Sequence, residues 1–444
     1  MMASVQHASM LGKDWIVKLI KNALRSPKLP LADETRYCDE TCRIAPPSNN
    51  EMGICPSCQL AIFDLADVDS STADGEFLVP QNVAGIFAGA YEDAGARVVT
   101  TSWGSVSPYD DMSASLDRWI YEQPDSVVCI AVGNEGSSGD VGSPANAKNG
   151  ISVGAAETKA IPDTLAAFST QGPTRDTRFK PDVVAPGDPL WSVEPSSEST
   201  CVQSVHMGTS FAAPATAGAA VLLREYLIGG HHKSSTAFAS SSYDNTRPSS
   251  ALIKALMVVS ARQLQFVYNP SPANVIEVSE EMVSGPQGFG HIYLSNAFAV
   301  VEGDSFETFL FEYDLEENST WEISFVVNQV DASSSVNIAL VWTDPPSPSF
   351  CDVNFDDDDT SSECLVHDLD LVVLFDGIRL FPNGGASEDR TNNVEKVEIG
   401  ESQMHYGSLV DVQVTSGSLA FADTQTFALV VIGPIGPTST APTP

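Results

Sequence analysis

Short apolar segments alternate with helix-like patterns through the first half of the chain. Segments rich in β-branched residues and bounded by turn residues are typical of buried parallel strands. Five segments fit this description: QLAIFD, ARVVTTS, SVVCIAV, NGISVGA and KPDVVAP. Between them, PQNVAGIFAGAYEDAG and MSASLDRWIYEQ carry apolar residues at helical spacing. The alternation predicts right-handed crossovers and a doubly wound parallel sheet of the α/β class, with functional sites at the carboxyl ends of strands.

The pattern changes to a period of two residues after about Glu302. Seven segments follow it: TFLFEYDL, WEISFVVNQV, VNIALVWTD, LDLVVLFDG, VEKVEIG, LVDVQVTSG and QTFALVVIG. Strands of this kind, joined by polar turns, predict an antiparallel β-sandwich or jelly roll of roughly 130 residues. The predicted organisation is a basic, Cys-containing N-terminal segment (1–52), the α/β domain (53–302), the jelly roll (303–434) and a Pro/Thr-rich tail (435–444).

Composition narrows the classes of partner. Hydrophobic residues make up 43% of the chain and charged residues 18%, which is typical of a globular protein. The formal net charge of −36 disfavours nucleic acid and anionic membranes as partners, because like charges repel. No run of 18 apolar residues occurs, so we predict no membrane span. The basic N-terminus lacks the order of a secretory signal and indicates a short amphipathic helix or sequence foreign to the mature protein.

The eight cysteines allow two interpretations. Four of them follow a C-x3-C-x12-C-x2-C spacing that is compatible with zinc: Cys38, Cys42, Cys55 and Cys58. Disulfides in an oxidising compartment are the favoured alternative, and Cys351 and Cys364, which bracket an acidic loop, form the best candidate pair. Cys129, inside SVVCIAV, is predicted to be a buried core thiol.

Ser210 opens an alanine-rich helical segment, TSFAAPATAGAAVLLREYL. We predict Pro214 in the first turn of this helix, where a missing N–H costs little. A helix N-terminus offers free N–H groups and the positive end of the dipole, so the N–H of Ser210 could hold the oxyanion formed when its hydroxyl attacks a carbonyl. The simpler alternative is that Ser210 only caps the helix.

Asn134 follows the predicted strand in CIAVGNEG. At the carboxyl end of a strand, its carboxamide would point into the crevice of the sheet. A side-chain donor beside a helix-start serine would supply the second hydrogen bond to an oxyanion. Alternatively, Asn134 is an ordinary turn residue.

Four motifs together resemble the subtilisin-like serine endopeptidases: GTSFAAP, VGNEG, TTSWG and KPDVVAPG. The resemblance runs from about Gly53 to Phe298, and ALVWTDPP, HDLDLVV and DRTNNVEKVEI resemble the jelly roll that follows the protease in certain subtilases. It implies a secreted protease with Ser210 as nucleophile, Asn134 as oxyanion donor, no required cofactor, and proteins or peptides as substrates. The peptide would pair with the backbone of two segments: Ser102, Trp103, Gly104, Ala131, Val132 and Gly133. Small residues in the implied pocket wall, including residues 143–145, indicate broad specificity for apolar side chains.

The resemblance leaves the base for Ser210 open. The subtilisin order places both Asp and His before the serine, yet no Asp-[Ser/Thr]-Gly turn lies upstream of Gly53. His7, in QHASMLG, is the nearest match to the histidine motif, and His206 is a second candidate. The remaining histidines, His367 among them, are predicted to be surface or turn residues. We expect an N-terminally incomplete version of an active protease. The alternative is a pseudoprotease that keeps the peptide groove.

Two further features concern the second domain. The acidic loop CDVNFDDDDTSSEC and the carboxylates Asp368 and Asp370 are candidates for structural calcium, since hard cations prefer clustered oxygen ligands. His367 stands where the resembling segments have asparagine, and a solvated acidic loop is the alternative. Asn318 begins an Asn-Ser-Thr glycosylation sequon, which is relevant if the protein is secreted.

Overall fold

The helices and strands of the first domain follow the predicted alternation. The computed structural model describes residues 54–55, 58–62, 82–158, 164–194, 202–230, 247–268, 275–277, 285–297, 306–330, 335–352 and 363–438. The helices are α1 (Ala84–Glu92), α2 (Asp111–Glu122), α3 (Thr209–Ile228) and α4 (Ser250–Ser260). The strands are β1 (Val98–Thr101), β2 (Val127–Ala131), β3 (Ile151–Glu157), β4 (Thr164–Leu165), β5 (Val183–Asp188), β6 (Leu190–Glu194), β7 (Val202–His206), β8 (Phe266–Tyr268) and β9 (Val275–Glu277).

The sheet of this domain has a parallel core. Its order is β1-β2-β3-β4-β8-β9, with β5 also paired to β3. Strands β1, β2, β3 and β5 are parallel neighbours, while β4 pairs with β3 and β9 with β8 in the antiparallel sense. The hairpin of β6 and β7 forms a separate two-stranded sheet. The sheet is therefore mixed, with the predicted parallel strands at its centre.

Side chains of β2 alternate between two apolar clusters, one on each face of the sheet. Val127 and Cys129 pack with α3 and α4, whereas Val128 and Ile130 pack with α1 and α2. Successive side chains of a strand point to opposite faces, so a strand covered on both sides is apolar throughout. Helices on both faces confirm the doubly wound α/β class.

Helix α3 is a core helix. Within the described ranges it is the one helix whose length and apolar character would allow it to cross a membrane, but half of its most apolar stretch is buried inside the protein. It packs against β1, β2, β3 and β5. Buried alanines, among them Ala212, Ala213 and Ala220, let the helix approach the sheet closely.

One predicted strand does not form over the residues that can be compared. In QLAIFD, residues 59–62 are irregular, and Leu60 is 39% exposed. A strand needs a neighbour to take its backbone hydrogen bonds. In the described part of the chain β1 is the edge strand on this side, and the segment does not pair with it. Apolar composition alone therefore gave a wrong prediction here.

The second domain is an antiparallel sandwich, as predicted. Its strands are β10 (Glu307–Glu316), β11 (Thr320–Val327), β12 (Ser335–Trp342), β13 (Leu369–Phe375), β14 (Ile378–Leu380), β15 (Val394–Gly400), β16 (Leu409–Ser416), β17 (Thr424–Gly433) and β18 (Ile435–Pro437). They form two sheets, β10-β17-β12-β15 and β14-β13-β16-β11-β18. Strand β18 lies in the predicted tail but pairs with β11, and Ile435 is fully buried. The sandwich thus extends past residue 434.

The two domains share an apolar core through α4. All 11 residues of this helix are buried, and it packs against β12 and β17 of the second domain. Ala339, Val341 and Val430 from those strands belong to the same apolar cluster as the helix. The interface between the domains is therefore continuous with the interior of the first domain.

The cysteine predictions can be compared where the structure describes them. Cys351 and Cys364 form a disulfide, which confirms the predicted pair. Cys55 and Cys58 form a second disulfide, so these two sulfurs are not zinc ligands here. Cys38 and Cys42 lie outside the described residues. Cys129 is fully buried, as predicted, and burial raises the pKa of its thiol.

Candidate active site

Ser210 is the second residue of α3. The helix begins at Thr209 after Gly208, whose φ of 143° favours glycine. The first N–H groups of a helix have no carbonyl of their own helix to bind. Among the described residues, the N–H of Ser210 has no hydrogen-bond partner. A free donor therefore lies on the same residue as the candidate nucleophile.

Asn134 is fixed to the start of α3. Its Oδ1 accepts the N–H of Thr209 at 2.9 Å and lies 3.0 Å from Thr209 Oγ1. The carboxamide oxygen is thus occupied, while Nδ2 makes no hydrogen bond within the described part of the chain. The two N–H groups of Nδ2 remain available to a ligand. Sequence reasoning predicted the donor, but it did not predict the anchor at Thr209.

Pro214 frees the carbonyl of Ser210. Because α3 begins at Thr209, Pro214 lies in the second turn and not in the predicted first turn. Proline has no N–H to donate to the carbonyl four residues earlier, which is that of Ser210. Ser102 Oγ donates to this carbonyl instead, at 3.0 Å. The segment after β1 is thereby joined to the helix that carries the candidate nucleophile.

An open pocket lies beside Ser210. Its lining includes Ser210, Asn134, five of the predicted peptide-contacting residues and two residues of the predicted wall: Ser102, Gly104, Ala131, Val132, Gly133, Ser143 and Ala145. The Trp103 side chain instead packs against the cluster under α1 and α2. The pocket therefore brings together the candidate nucleophile, the donor and both predicted peptide-binding segments.

Sequence reasoning missed two carboxylates of the pocket, Glu135 and Asp140. Glu135 lies beside Thr170, with Oε2 and Oγ1 2.9 Å apart, and Asp140 forms an exposed ion pair with Arg175 at 3.1 Å. Glu135 directly follows Asn134 in the VGNEG motif. This neighbouring position could have indicated that Glu135 lines the same pocket as the proposed oxyanion donor. The wall of small residues thus also carries negative charge.

The structure describes one of the two candidate bases, His206. His206 ends β7, and its Nε2 is 2.7 Å from Ser204 Oγ. Its ring stacks on Phe211, with centroids 5.1 Å apart. His7 lies outside the described residues. The assignment of a base to Ser210 therefore stays a prediction.

The predicted calcium ligands face a cation of the protein itself. Arg390 donates to Asp368, and its Nη1 lies 3.6 Å from Asp370 Oδ2. Burial, followed by the nearby Asp368, raises the pKa of Asp370 to about 6. Within the described ranges, no group of three or more His, Cys, Asp or Glu side chains is arranged to hold a metal ion. Arg390 therefore supplies the positive charge at this position.

His367 is not the surface residue that we predicted. It is fully buried, with Nδ1 2.6 Å from Gln425 Oε1 and Nε2 against the carbonyl of Ala420. Its ring lies between Gln425 of β17 and the turn that carries Ala420, and each ring nitrogen contacts an oxygen there. This packing accounts for a histidine beside Asp368 without giving it a role in metal binding.

The doubly wound sheet, the helix-start serine and the carboxamide that faces the same pocket define a site of the serine hydrolase type. The model of the "Subtilase family" matches residues 42–290 of the 444. The chain belongs to the subtilase family.

The chain is similar to several individual proteins. The chain is similar to the serine protease/ABC transporter B family protein tagD of Dictyostelium discoideum, with 24% identity over 78% of this chain and 25% of that protein. It is also similar to serine protease AprX of Bacillus subtilis (strain 168), with 34% identity over 26% of this chain and 34% of that one. Among solved structures, the prenylagaramide maturation protease PagA matches at 19% identity with a TM-score of 0.37, over 52% of this chain and 72% of that chain. The chain spans about a quarter of the length of the Dictyostelium protein.

Proposed function

We propose that this chain is the catalytic part of a serine endopeptidase, which hydrolyses peptide bonds through an acyl-enzyme on Ser210. One observation carries the proposal. Two hydrogen-bond donors without a described partner, the N–H of Ser210 and Nδ2 of Asn134, lie on one pocket, and Thr209 fixes one to the other. Two donors beside a hydroxyl are what the tetrahedral adduct of acyl transfer requires.

The proposed reaction follows from this geometry. Ser210 Oγ attacks the scissile carbonyl, and its proton passes to a base. The carbonyl oxygen becomes an oxyanion, which accepts hydrogen bonds from the Ser210 N–H and Asn134 Nδ2. The base returns the proton to the leaving amine, and water then attacks the acyl-enzyme by the same route. The two segments that begin at Ser102 and Ala131 bind the substrate as an added strand.

The base is the open part of this proposal. We propose a histidine, with His7 as the candidate from the sequence and His206 as the candidate that lies next to the helix. A serine without its base loses about 10⁶ in turnover in subtilisin. The competing function is a pseudoprotease that binds peptides without cleaving them, and it has the same pocket but no activated hydroxyl.

A fluorophosphonate probe separates the two functions, because it reacts with an activated serine. In a catalytically competent form of the protein, which includes the base for Ser210, we expect mass spectrometry to find the adduct on Ser210 and to lose it in Ser210→Ala. Ser387→Ala, on an exposed turn of the second domain, is the matched control and should keep the adduct. In that form, binding of a fluorescent tetrapeptide without any adduct would establish the pseudoprotease. A chain that neither reacts nor binds peptide would contradict both functions.

Secretion is the proposed location. The two disulfides and the net charge of −36 support an oxidising, extracellular setting. Asn318 of the sequon is exposed on the turn between β10 and β11. A glycan attached there would extend into solvent. In a secreting host we expect a mass shift upon glycosidase treatment, and Asn318→Gln should remove that shift.

We propose that hydrolysis itself needs no cofactor, because the Ser210 and Asn134 donors supply the charge stabilisation that a metal would otherwise give. Structural calcium at Asp368 and Asp370 is a separate proposal. The unpartnered, buried Oδ1 atoms of both residues support it. The ion pairs of these residues with Arg390 oppose it.

A further inference from the structure

A loop of the second domain holds the backbone of Tyr109 in the first. Residues 344–352, which we call the docking loop, follow β12 and lie against the start of α2. Both carboxylate oxygens of Asp352 accept the N–H of Tyr109, at 3.0 and 2.9 Å. The N–H of Phe350 donates to the carbonyl of Tyr109 at 2.5 Å. The backbone N–H and the carbonyl of Tyr109, which is buried, therefore both have hydrogen-bond partners in the second domain.

The docking loop has a second anchor at Lys148. Lys148 Nζ lies within 2.7 Å of four oxygens: Asp344 Oδ2, Ser347 Oγ and the carbonyls of Pro345 and Cys364.

The disulfide between Cys351 and Cys364 links the two anchors. Cys351 precedes Asp352 in the chain, and the carbonyl of Cys364 binds Lys148. The covalent bond therefore joins the segment that contacts Tyr109 to the segment that contacts Lys148.

The next residue after Tyr109 reaches the pocket. Asp110 Oδ1 caps α2 by accepting the N–H groups of Met112 and Ser113, at 3.1 and 3.2 Å, and it also accepts from Ser143 Oγ. Ser143 lines the pocket beside Ser210. Asp110 Oδ1 thus binds both the start of α2 and Ser143 of the pocket wall. Because Asp110 is the residue after Tyr109, a movement of Tyr109 would move this oxygen as well.

Ser143 also joins the two walls of the pocket. Its carbonyl accepts the N–H of Ser105 at 2.7 Å, and its N–H donates to the carbonyl of Ser107 at 3.1 Å. The walls are in close contact, because a Cβ added to Gly142 would lie 1.8 Å from the carbonyl oxygen of Ser105. A shift of the segment that ends at Tyr109 would therefore change the width of the pocket.

We propose that Asp352, linked through the Cys351–Cys364 disulfide to the Lys148 anchor, is a positioning residue for the pocket wall at Ser143 and so sets the affinity for the peptide. The proposal deepens the proposed function and depends on it, since it takes this pocket to be the peptide-binding site. The physical reason is the cost of a buried N–H without a partner. When Asp352 is removed, the N–H of Tyr109 loses its acceptor, and the backbone recovers a hydrogen bond by moving toward water. Asp110 and Ser143 then move with Tyr109.

Hydrogen exchange tests the positioning without any need for catalysis. The amides of Ser105 and Ser143 report on the bonds between the two walls, and mass spectrometry follows them in peptides that span residues 103–107 and 141–147. We expect about fivefold to tenfold faster exchange in both peptides for Asp352→Ala, as the loss of one charged hydrogen bond implies. Asp352→Asn keeps one acceptor oxygen and should fall between the wild type and Asp352→Ala.

Two matched controls accompany these variants. Glu363→Ala removes an exposed carboxylate next to Cys364 and should leave the exchange unchanged. The variant Cys351→Ser/Cys364→Ser should behave like Asp352→Ala, whereas Cys55→Ser/Cys58→Ser removes the other disulfide and should not. Unchanged exchange at the wall in a folded Asp352→Ala protein would overturn the proposal. If that variant does not fold, wild-type exchange in Asp352→Asn and in the Cys351/Cys364 variant would overturn it equally.

Peptide affinity tests the functional half. We expect about fivefold weaker binding of fluorescein-labelled Ala-Ala-Pro-Phe amide by Asp352→Ala, and Asp352→Asn should restore part of it. Where the wild type hydrolyses the corresponding 4-nitroanilide, KM should rise while kcat changes little. Equal affinity in the two proteins despite faster exchange would overturn the link to affinity. A wild type that does not bind the peptide would contradict the proposed function, while the exchange data would still decide the positioning.

Discussion

Lys148 of the first domain and Asp344 of the second form an ion pair from which water is excluded. Lys148 Nζ and Asp344 Oδ2 are 2.5 Å apart, and neither side chain is exposed. Backbone N–H groups of Val366 and His367 donate to the same carboxylate, at 2.9 and 2.7 Å. The desolvation of this pair is thus offset by a full set of hydrogen bonds, which an isolated buried charge would lack.

Replacing Lys148 by methionine should destabilise both domains together. The change leaves Asp344 buried without its counter-charge, and the loss of one partner of such a pair costs about 3–5 kcal/mol. We expect this decrease in the free energy of unfolding by urea. Tryptophan fluorescence reports on both domains, through buried Trp119 of α2 and buried Trp321 and Trp342 of the sandwich. Far-UV circular dichroism reports on the backbone of both domains, and the two transitions should coincide.

Arg175→Met is the control for that measurement. It breaks the ion pair with Asp140, in which both side chains are largely exposed, and exposed pairs contribute less than about 1 kcal/mol. Equal losses in the two variants, or two separate transitions in Lys148→Met, would contradict the importance of the buried pair.

Asn134→Leu should lower turnover by about 10²–10³ in a catalytically competent form of the protein, since one oxyanion donor typically contributes that much. Steady-state kinetics with a peptide anilide measures the change. Asn134→Asp is the informative companion: it keeps the oxygen that accepts the N–H of Thr209 but has no N–H donors. If the carboxamide acts as a donor, both variants lose turnover. Activity retained in Asn134→Asp would show that only the anchor at Thr209 matters.

Glu312 should make the protein less stable as the pH rises. Burial raises the pKa of this carboxyl from 4.5 to about 7, although hydrogen bonds from Ser249, the residue before α4, lower it in part. The folded state therefore holds the proton more tightly, and stability is fully present below about pH 4.5 and decreases up to about pH 7. The shift corresponds to about 3 kcal/mol at most. Urea unfolding between pH 4 and 8 should give a flatter profile for Glu312→Gln, and the exposed Glu401→Gln should match the wild type.

Calcium, if it binds at Asp368 and Asp370, has to compete with Arg390. We expect millimolar calcium to raise the melting temperature by a few degrees and EDTA to reverse the change, as for any ligand that binds only the folded state. Asp370→Asn should abolish the response, and Arg390→Gln should strengthen it. Melting curves that are the same with calcium and with EDTA would count against a bound ion.

Patterns that depend on neighbours in sequence predicted their structures well. The run SVVCIAV became β2 because every residue in it can be buried on one face or the other. The same local logic identified Ser210 at the start of α3 and Asn134 after β2. Period-two alternation likewise gave the sandwich strands, such as β11, in which Trp321 and Ile323 point inward.

Contacts between distant residues could not be predicted in this way. Nothing in the sequence near Lys148 indicates a partner 196 positions away, because that pairing depends on how α4 joins the two domains. His367 was misplaced for a related reason: its two hydrogen-bond partners are brought to it only by the packing of the strands. The segment at Leu60 failed because the pattern cannot tell whether a neighbouring strand is present.

Helix α4 has one consequence for the history of the chain. All residues of α4 are buried, some against the first domain and some against the second. If either domain were inherited without the other, an apolar surface would be exposed to water. Separation of the two domains would expose the face of α4 that now packs against β12 and β17. We therefore expect the pair to have been inherited as one unit.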